Sequence, residues 1–345
     1  MQHWANLLTQ NGHDVHYLSF DPSTQSFSFQ YHTLANTYLH GFIQFILINR
    51  FINKIQKNYH FDLFHAFYAT NYGLTACLQK KVPVVVTFAG SDILIEPQRN
   101  PLFNWVDKFV AKRADAINAV SYQIKEKLIS EYKVNESKIW VFSEGVDLNL
   151  FSMLENRRNE SKIRIVSTRN FYEIYDQETI FQAITQILKQ KENLEFYFFG
   201  DGPLKEKYIQ IIKRNELAGK VYFEGWQPRE KIAKQLAESQ IYISASRSDG
   251  TSSSLLEAMA CGCFPVVSDI PANRNWIKQG ENGFLFEVGS IEEFSELLLK
   301  AIKNQEKRKK AMKINRELVG RYADENKVLE KLENLYSLAL SNWKS

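Results

Sequence analysis

Apolar residues in this chain fall into two kinds of run. Short blocks rich in Val, Ile and Phe read as strands, and longer stretches with apolar residues every three or four positions read as helices. A first helical pattern covers Met1 to Gln10, and Gly12-His13-Asp14 leads from it into a strand at Val15 to Phe20. Further strands are expected at Leu63 to Phe67, Val82 to Phe88, Ala116 to Val120 and Ile139 to Phe142. Between Asp147 and Ser161 the periodicity is lost and Asn, Glu and Arg accumulate, which marks a domain junction. A second series follows, with strands at Ile163 to Ser167, Leu194 to Phe199, Val221 to Phe223, Ile241 to Ala245, Phe264 to Val267 and Phe284 to Phe286. Helices such as Glu178 to Lys189 and Leu204 to Arg214 separate them.

Strands that alternate with helices imply parallel sheets with right-handed crossovers. The expected fold class is therefore α/β, with two facing Rossmann-like domains at residues 1–150 and 151–325. Three more helical patterns, Ile291 to Ile302, Lys307 to Tyr322 and Glu325 to Leu340, exceed what one small domain needs. The last segment, 326–345, is expected to pack back across the junction. No strand precedes the first helix, so the N-terminal domain is expected to lack its first strand and Met1 to be a late start or a truncation. Ligands of such sheets sit beyond the carboxyl ends of the strands, which places the expected site in a cleft between the domains.

A chain of 345 residues with 44% hydrophobic content can bury two such cores. Its 43 basic and 39 acidic residues leave a net charge of only +4, which argues against nucleic acid as the partner. Cys77, Cys261 and Cys263 are odd in number and lack a C-x-x-C spacing, so neither a disulfide framework nor a zinc site is expected, in keeping with a reducing cytoplasm. The sequence has no signal-peptide pattern and no uninterrupted apolar run of membrane-spanning length. Gly41 to Lys57 combines Phe42, Phe45, Ile46, Phe51 and Ile52 with Arg50, Lys54 and Lys57. It reads as a core-packing helix or as an amphipathic face for peripheral contact with an anionic membrane, on the inner side of the cell. The basic cluster Lys307 to Lys310 has the same two readings, a solvated helix face or a membrane contact.

The most informative stretch is Ile241 to Cys263. A strand runs into Ser246-Arg247-Ser248-Asp249-Gly250-Thr251-Ser252-Ser253-Ser254, and a helix begins at Leu255. Small and hydroxyl residues let a backbone approach a bulky anion, and the N–H groups and dipole of a helix start stabilise negative charge, so the turn suits a diphosphate. Asp249 and Glu257 lie eight residues apart, close enough for both to reach a ligand seated on that helix start. The competing reading makes Asp249 a helix cap and Glu257 a solvated or core-edge partner.

The same stretch, D-G-T-S-S-S-L-L-E-A-M-A-C-G, resembles the signature E-G-F-G-L-P-x-x-E-A-M-A-x-G of glycosyltransferase family four, a retaining group with two Rossmann domains, the GT-B fold. Gly250, Glu257, Ala258, Met259, Ala260 and Gly262 match, Pro265-Val266-Val267 continues the pattern, and Asp249 departs from it by one methylene. Phe199-Gly200-Asp201-Gly202-Pro203-Leu204, Gly225, Asn282-Gly283-Phe284-Leu285 and Gly145-Val146-Asp147 with Phe151 extend the resemblance over nearly the whole chain. It implies that Glu257 holds the donor ribose, that Asp249 lies against the donor sugar, and that Arg169, at the end of the first strand of the second domain, grips the donor phosphates. The lysine that usually follows is absent, with Ile174 and Tyr175 in its place. Gly202 shapes a turn or touches the ligand, and Gly225 with Trp226 lines a nucleobase pocket or simply packs.

In the first domain, Thr87-Phe88-Ala89-Gly90-Ser91-Asp92 resembles the family turn T-x-H-G-x-D, which implies that Gly90, Ser91 and Asp92 face the acceptor side of the cleft. Ala89 stands where the family has His. His65, near another strand end, is either structural or a catalytic group at the acceptor. The resemblance implies a retaining, metal-independent transfer of a sugar from a UDP- or GDP-sugar to a glycan, lipid or small molecule. The nucleotide-sugar is then a substrate, and no cofactor is expected. An epimerase of the same fold and a non-catalytic nucleotide-sugar-binding protein are the alternatives. A dehydrogenase is disfavoured, because no strand leads into G-x-G-x-x-G.

Overall fold

The computed structural model, which describes residues 2–19, 26–33, 42–79, 81–153, 161–189 and 193–344, turns the apolar runs into strands within a few residues of their expected bounds. The chain divides into two units, one of residues 1–144 with 326–345 and the other of residues 145–325.

In the first unit the strands are β1 (His16–Ser19), β2 (Gln30–Thr33), β3 (Phe64–Phe67), β4 (Val84–Phe88), β5 (Ala116–Ala119) and β6 (Ile139–Val141). β3, β4, β5 and β6 form a parallel sheet in that order, and β1 pairs in parallel with β2 as a separate two-stranded sheet. Every residue of β4 is buried, as befits a central parallel strand covered on both faces. β2 is not among the expected strands. The expected strand Val15 to Phe20 ends at Ser19 among the described residues, and Met1 and Phe20 lie outside them.

The first helix, Gln2–Gln10, buries Trp4, Leu7 and Leu8 in a cluster with Val85, Phe142 and Val328, Leu332 and Leu335 of the last helix, Glu325–Lys344. The C-terminal segment thus belongs to the first unit. The boundary falls earlier than 150 because Val146 is stitched into the second unit: its N–H donates to the Ala323 carbonyl at 2.8 Å, and its own carbonyl accepts from Glu325 at 3.1 Å. Residues 154–160 of the expected junction lie outside the described residues.

The second unit holds one six-stranded parallel sheet: β7 (Ile163–Ser167), β8 (Leu194–Phe199), β9 (Val221–Gly225), β10 (Ile241–Ser244), β11 (Phe264–Ser268) and β12 (Phe284–Phe286). Their spatial order is β12-β11-β10-β7-β8-β9. The chain winds outward from β7 in one direction and, starting again at β10, in the other. The connections leaving β7 and β10 therefore diverge, and a crevice opens at their carboxyl ends. One face is filled by Phe171, Phe181, Phe196, Phe198 and Tyr208, the other by Tyr242, Leu256, Met259 and Val267. All three cysteines are buried, and their thiols donate to carbonyls, Cys77 to Val110, Cys261 to Ala233 and Cys263 to Leu236.

Candidate active site at the divergence of two strands

Arg169 follows β7 by two residues, and the segment Ser246–Ser252 follows β10, so the two strands at the divergence deliver both halves of the site. The helix after β10 is Ser253–Ala260. Its cap is Ser252, whose Oγ accepts from the Leu255 N–H at 3.2 Å. The same oxygen accepts from Nη1 of Arg169 at 3.0 Å, while Nη2 of Arg169 forms an ion pair with Asp249. Asp249 is thus free of the capping role and pairs with the cation expected to hold the donor phosphates.

Arg169 is 8% exposed, and its Nε has no hydrogen-bond partner among the described residues. Burial is the strongest influence and works against its charge, but the Asp249 carboxylate together with Tyr242 and Tyr175 outweighs that penalty and holds the guanidinium above its usual pKa. The ring of Tyr175 supports it from one side, 4.2 Å from Cζ to ring centroid. Gln177 fastens the loop between them by donating to the Arg169 carbonyl at 3.2 Å. Arg247 links the two strand ends again through Asp176 at 2.8 Å.

The remaining residues of the segment line the same turn. Gly250 and Leu255 are buried, whereas Thr251, Ser253 and Ser254 are partly exposed at the helix start, where first-turn N–H groups have no partner within the helix. Glu257 lies on the second turn, 18% exposed, with Arg229 Nη2 at 3.5 Å from its carboxylate. Arg229 opens the helix Arg229–Glu238 and rests its guanidinium over the Phe151 ring. Nothing in the sequence marks Arg229, which belongs to no motif.

Gly202 adopts φ +150, and a Cβ there would lie 2.7 Å from the Phe171 carbonyl oxygen, so the glycine lets the loop after β8 close onto the loop after β7. Gly225 ends β9 with φ +68, and Trp226 beyond it is 72% exposed. β9 is the edge strand two places from β7, so Gly225 and Trp226 stand apart from the Arg169 cluster.

The candidates in the first unit take other roles. His65 Nδ1 is 2.9 Å from the Tyr336 hydroxyl and Nε2 is 2.7 Å from Thr87 Oγ1, with Trp4 and Phe67 against the ring. Burial lowers its pKa to about 3. Both nitrogens are engaged within the unit, which is the structural role, not that of a catalytic group. Asp92 is fully buried and accepts from the backbone N–H groups of Ala69, Ala89 and Gly90 at 3.1, 3.2 and 2.9 Å. Its carboxylate therefore holds the turn together and does not face outward. Burial pushes its pKa up to about 6 against the pull of those bonds. Gly90, at φ +128, is buried, and Ser91 is the partly exposed member of the three. Among the described residues no group of three His, Cys, Asp or Glu is arranged to hold a metal ion.

Residues 152–318 match the family described as glycosyl transferases group 1, and residues 1–150 match glycosyltransferase family 4. The chain belongs to glycosyltransferase family four. Among curated relatives of this family-four chain is the N-acetyl-α-D-glucosaminyl L-malate synthase of Bacillus anthracis, 22% identical, with 95% of this chain and 90% of the relative covered. Another is the UDP-Gal:α-D-GlcNAc-diphosphoundecaprenol α-1,3-galactosyltransferase of Escherichia coli, 24% identical over 72% of this chain and 68% of the relative. The sucrose-phosphate synthase of Thermosynechococcus elongatus has a similar fold, with a TM-score of 0.83 at 17% identity over 98% of this chain and 92% of that one. The structure of Anabaena HepE with UDP and glucose has a TM-score of 0.75 at 18% identity, covering 90% and 86%. The two parallel-sheet units are accordingly those of the GT-B glycosyltransferases.

Proposed function

We propose that this glycosyltransferase moves a sugar from a nucleoside diphosphate donor, UDP-linked in preference to GDP-linked, to a glycan, lipid or small-molecule acceptor with retention of configuration and without a metal ion. The observation that carries the reading is the convergence of Arg169, Asp249 and Ser252 where β7 and β10 diverge, at the start of a helix. The preference for uridine rests on the UDP named with the E. coli relative and bound to HepE.

Breaking the bond between sugar and diphosphate leaves one extra negative charge on the leaving group and a cation-like sugar carbon, the bonding electron pair staying on the diphosphate oxygen. The guanidinium of Arg169, with the first-turn N–H groups of the helix Ser253–Ala260, offsets that charge in a buried setting where it counts most. A diphosphate presents several charged oxygens to Arg169 at once, and its Nε, without a partner among the described residues, supplies a third donor to them. Asp249, released from the ion pair, accepts from a sugar hydroxyl. Glu257, oriented by Arg229, accepts from the two ribose hydroxyls. Thr251, Ser253 and Ser254 add hydroxyl and backbone donors along the diphosphate. With the diphosphate held on this face, the acceptor enters on the same side of the sugar as the leaving group departs, and configuration is kept. We place the enzyme in the cytoplasm, in peripheral contact with anionic membrane. No helix among the described residues is long and apolar enough to cross a bilayer.

The test is to incubate the chain with UDP- and GDP-sugars, with and without EDTA, and to follow nucleotide release and product anomeric configuration. Release that survives EDTA, favours UDP and is lost in Arg169→Ala supports the reading. Tight binding without release would make the chain a nucleotide-sugar-binding protein, and conversion of the donor sugar into its epimer would make it an epimerase.

A further inference from the structure

The proposed membrane contact needs a surface, and the apolar helix singled out in the sequence does not supply it where its side chains are described. In that helix, Phe42–Asn58, Ile48 is buried, Asn49 accepts twice from Gln79, and Phe51 packs its ring against His32. It is fastened into its own unit, and the side chains of residues 42–47 lie outside the described residues.

A different helix, Pro101–Arg113, has what the first lacks. It buries Val106, Asp107, Val110 and Ala111 against the sheet core of the first unit. On the opposite side Leu102 is 60% and Trp105 63% exposed, and the Trp105 ring stacks on Phe109 with centroids 5.9 Å apart. At 3.6 residues per turn these three side chains form one narrow stripe. Lys108 and Lys112 border it on one side and Arg113 on the other, with Arg113 over the Phe109 ring. Arg113 also donates to the Cys77 carbonyl at 2.7 Å, which brings the stripe beside Leu78, 49% exposed. The helix carries one acid, Asp107, and that residue is buried. Arg99 adds a further exposed cation just before the helix.

Resting on the reading of a peripheral enzyme, we infer that this face docks onto an anionic lipid surface. An exposed indole and leucine, backed by a phenylalanine that packs on the core and set between cations, are what an interfacial helix needs: the indole and leucine enter the headgroup boundary while lysines and arginines meet lipid phosphates. Charge complementarity selects the partner, because the outward face of the helix offers cations and no carboxylate, and juxtamembrane cations are attracted to acidic lipid. The proposed donor groups around Arg169 belong to the other unit, so substitutions on this helix alter none of them.

The test is co-sedimentation of the full chain with vesicles of phosphatidylcholine alone and with added phosphatidylglycerol, using wild type, Leu102→Ser/Trp105→Ser and Lys108→Gln/Lys112→Gln. The expected result is binding to the phosphatidylglycerol vesicles only, weakened by salt, with partitioning reduced about tenfold or more in each double variant. UDP binding is measured on the same preparations and stays at the wild-type value, and thermal unfolding that coincides with the wild type shows that the variants are folded. It also separates the two readings: UDP binding without vesicle binding overturns the docking surface alone, whereas vesicle binding without UDP binding overturns the donor site alone. Vesicle binding that is unchanged in both variants overturns the inference. So does a dimer, seen by sedimentation velocity, that dissociates in Leu102→Ser/Trp105→Ser, since a second copy would then occupy this face.

Discussion

The guanidinium of Arg169 sits over the ring of Tyr175, 4.2 Å from its centroid, where the family resemblance leads one to expect a second cation. The ring does not replace that charge. It limits where the Arg169 guanidinium can go, so that under the proposed function Arg169 is already placed when the diphosphate arrives. Tyr175→Ala should raise the donor KM several-fold, with a smaller effect on kcat, because a cation–ring contact is worth about 1 kcal/mol at a partly buried site. Tyr175→Phe keeps the face of the ring and should restore most of the loss. Steady-state kinetics on the three proteins check this. Equal loss in Phe and Ala would instead assign the effect to the hydroxyl.

Glu257 and Arg229 form the second pair. Under the proposed function, removing the carboxylate takes away charge-assisted hydrogen bonds to the nucleotide, which costs about 1.5–3 kcal/mol. Glu257→Ala should therefore weaken UDP binding about tenfold to a hundredfold by calorimetry. Arg229→Ala should weaken it less, since Arg229 acts through Glu257, and the double variant should resemble Glu257→Ala. Additive losses would show that Arg229 touches the nucleotide directly.

His65 supplies a prediction about pH. Its folded pKa of about 3 lies below the usual 6.5 of histidine, so the unfolded chain binds a proton that the folded chain refuses in the range between them. The stability associated with the neutral ring is whole above pH 6.5 and is lost as pH falls towards 3. Between pH 6.5 and pH 5 the loss amounts to about 1.6 kcal/mol. In His65→Phe this contribution is absent, so any stability advantage of the wild type should shrink by that amount over the same interval in urea titrations. The pH dependence of turnover near neutrality should contain no titration belonging to His65.

Asp92 should matter for stability and not for donor recognition. Asp92→Ala leaves two buried backbone N–H groups and one partly buried one without their acceptor, at a cost of about 3 kcal/mol or more. Thermal unfolding should show the loss. UDP binding below the transition should be unaffected, because the proposed donor groups all lie within residues 145–325. A selective loss of donor binding in a stable Asp92→Ala protein would contradict this division of labour.

Spacing in the sequence brought Asp249 and Glu257 forward as candidates, because a strand end and a helix start each leave a periodicity that can be read, and the family resemblance added Arg169 to them. The partners were harder. Arg229 reaches Glu257 from another helix, and no motif connects positions so far apart in the chain. His65 lies at a strand end, where side chains often face a ligand, yet a residue 271 positions later covers it. The strand β2 escaped notice for a related reason. Gln30-Tyr31-His32-Thr33 has no apolar alternation, and its place is fixed by side-chain contacts such as His32 with His16, at 3.0 Å between ring nitrogens. Local pattern reveals what the chain does with its neighbours in sequence; partners brought together by folding leave no such trace.

The buried thiols are distributed so that each unit reports on itself. Cys77 lies inside the first unit, Cys261 and Cys263 inside the second, and all three are sealed from solvent. A thiol-reactive reagent added to the native enzyme meets no accessible sulfur, and each modification it achieves records an opening event. Peptide mapping after timed labelling then gives the opening rates of the two halves separately, within one unmodified chain and with no engineered probe.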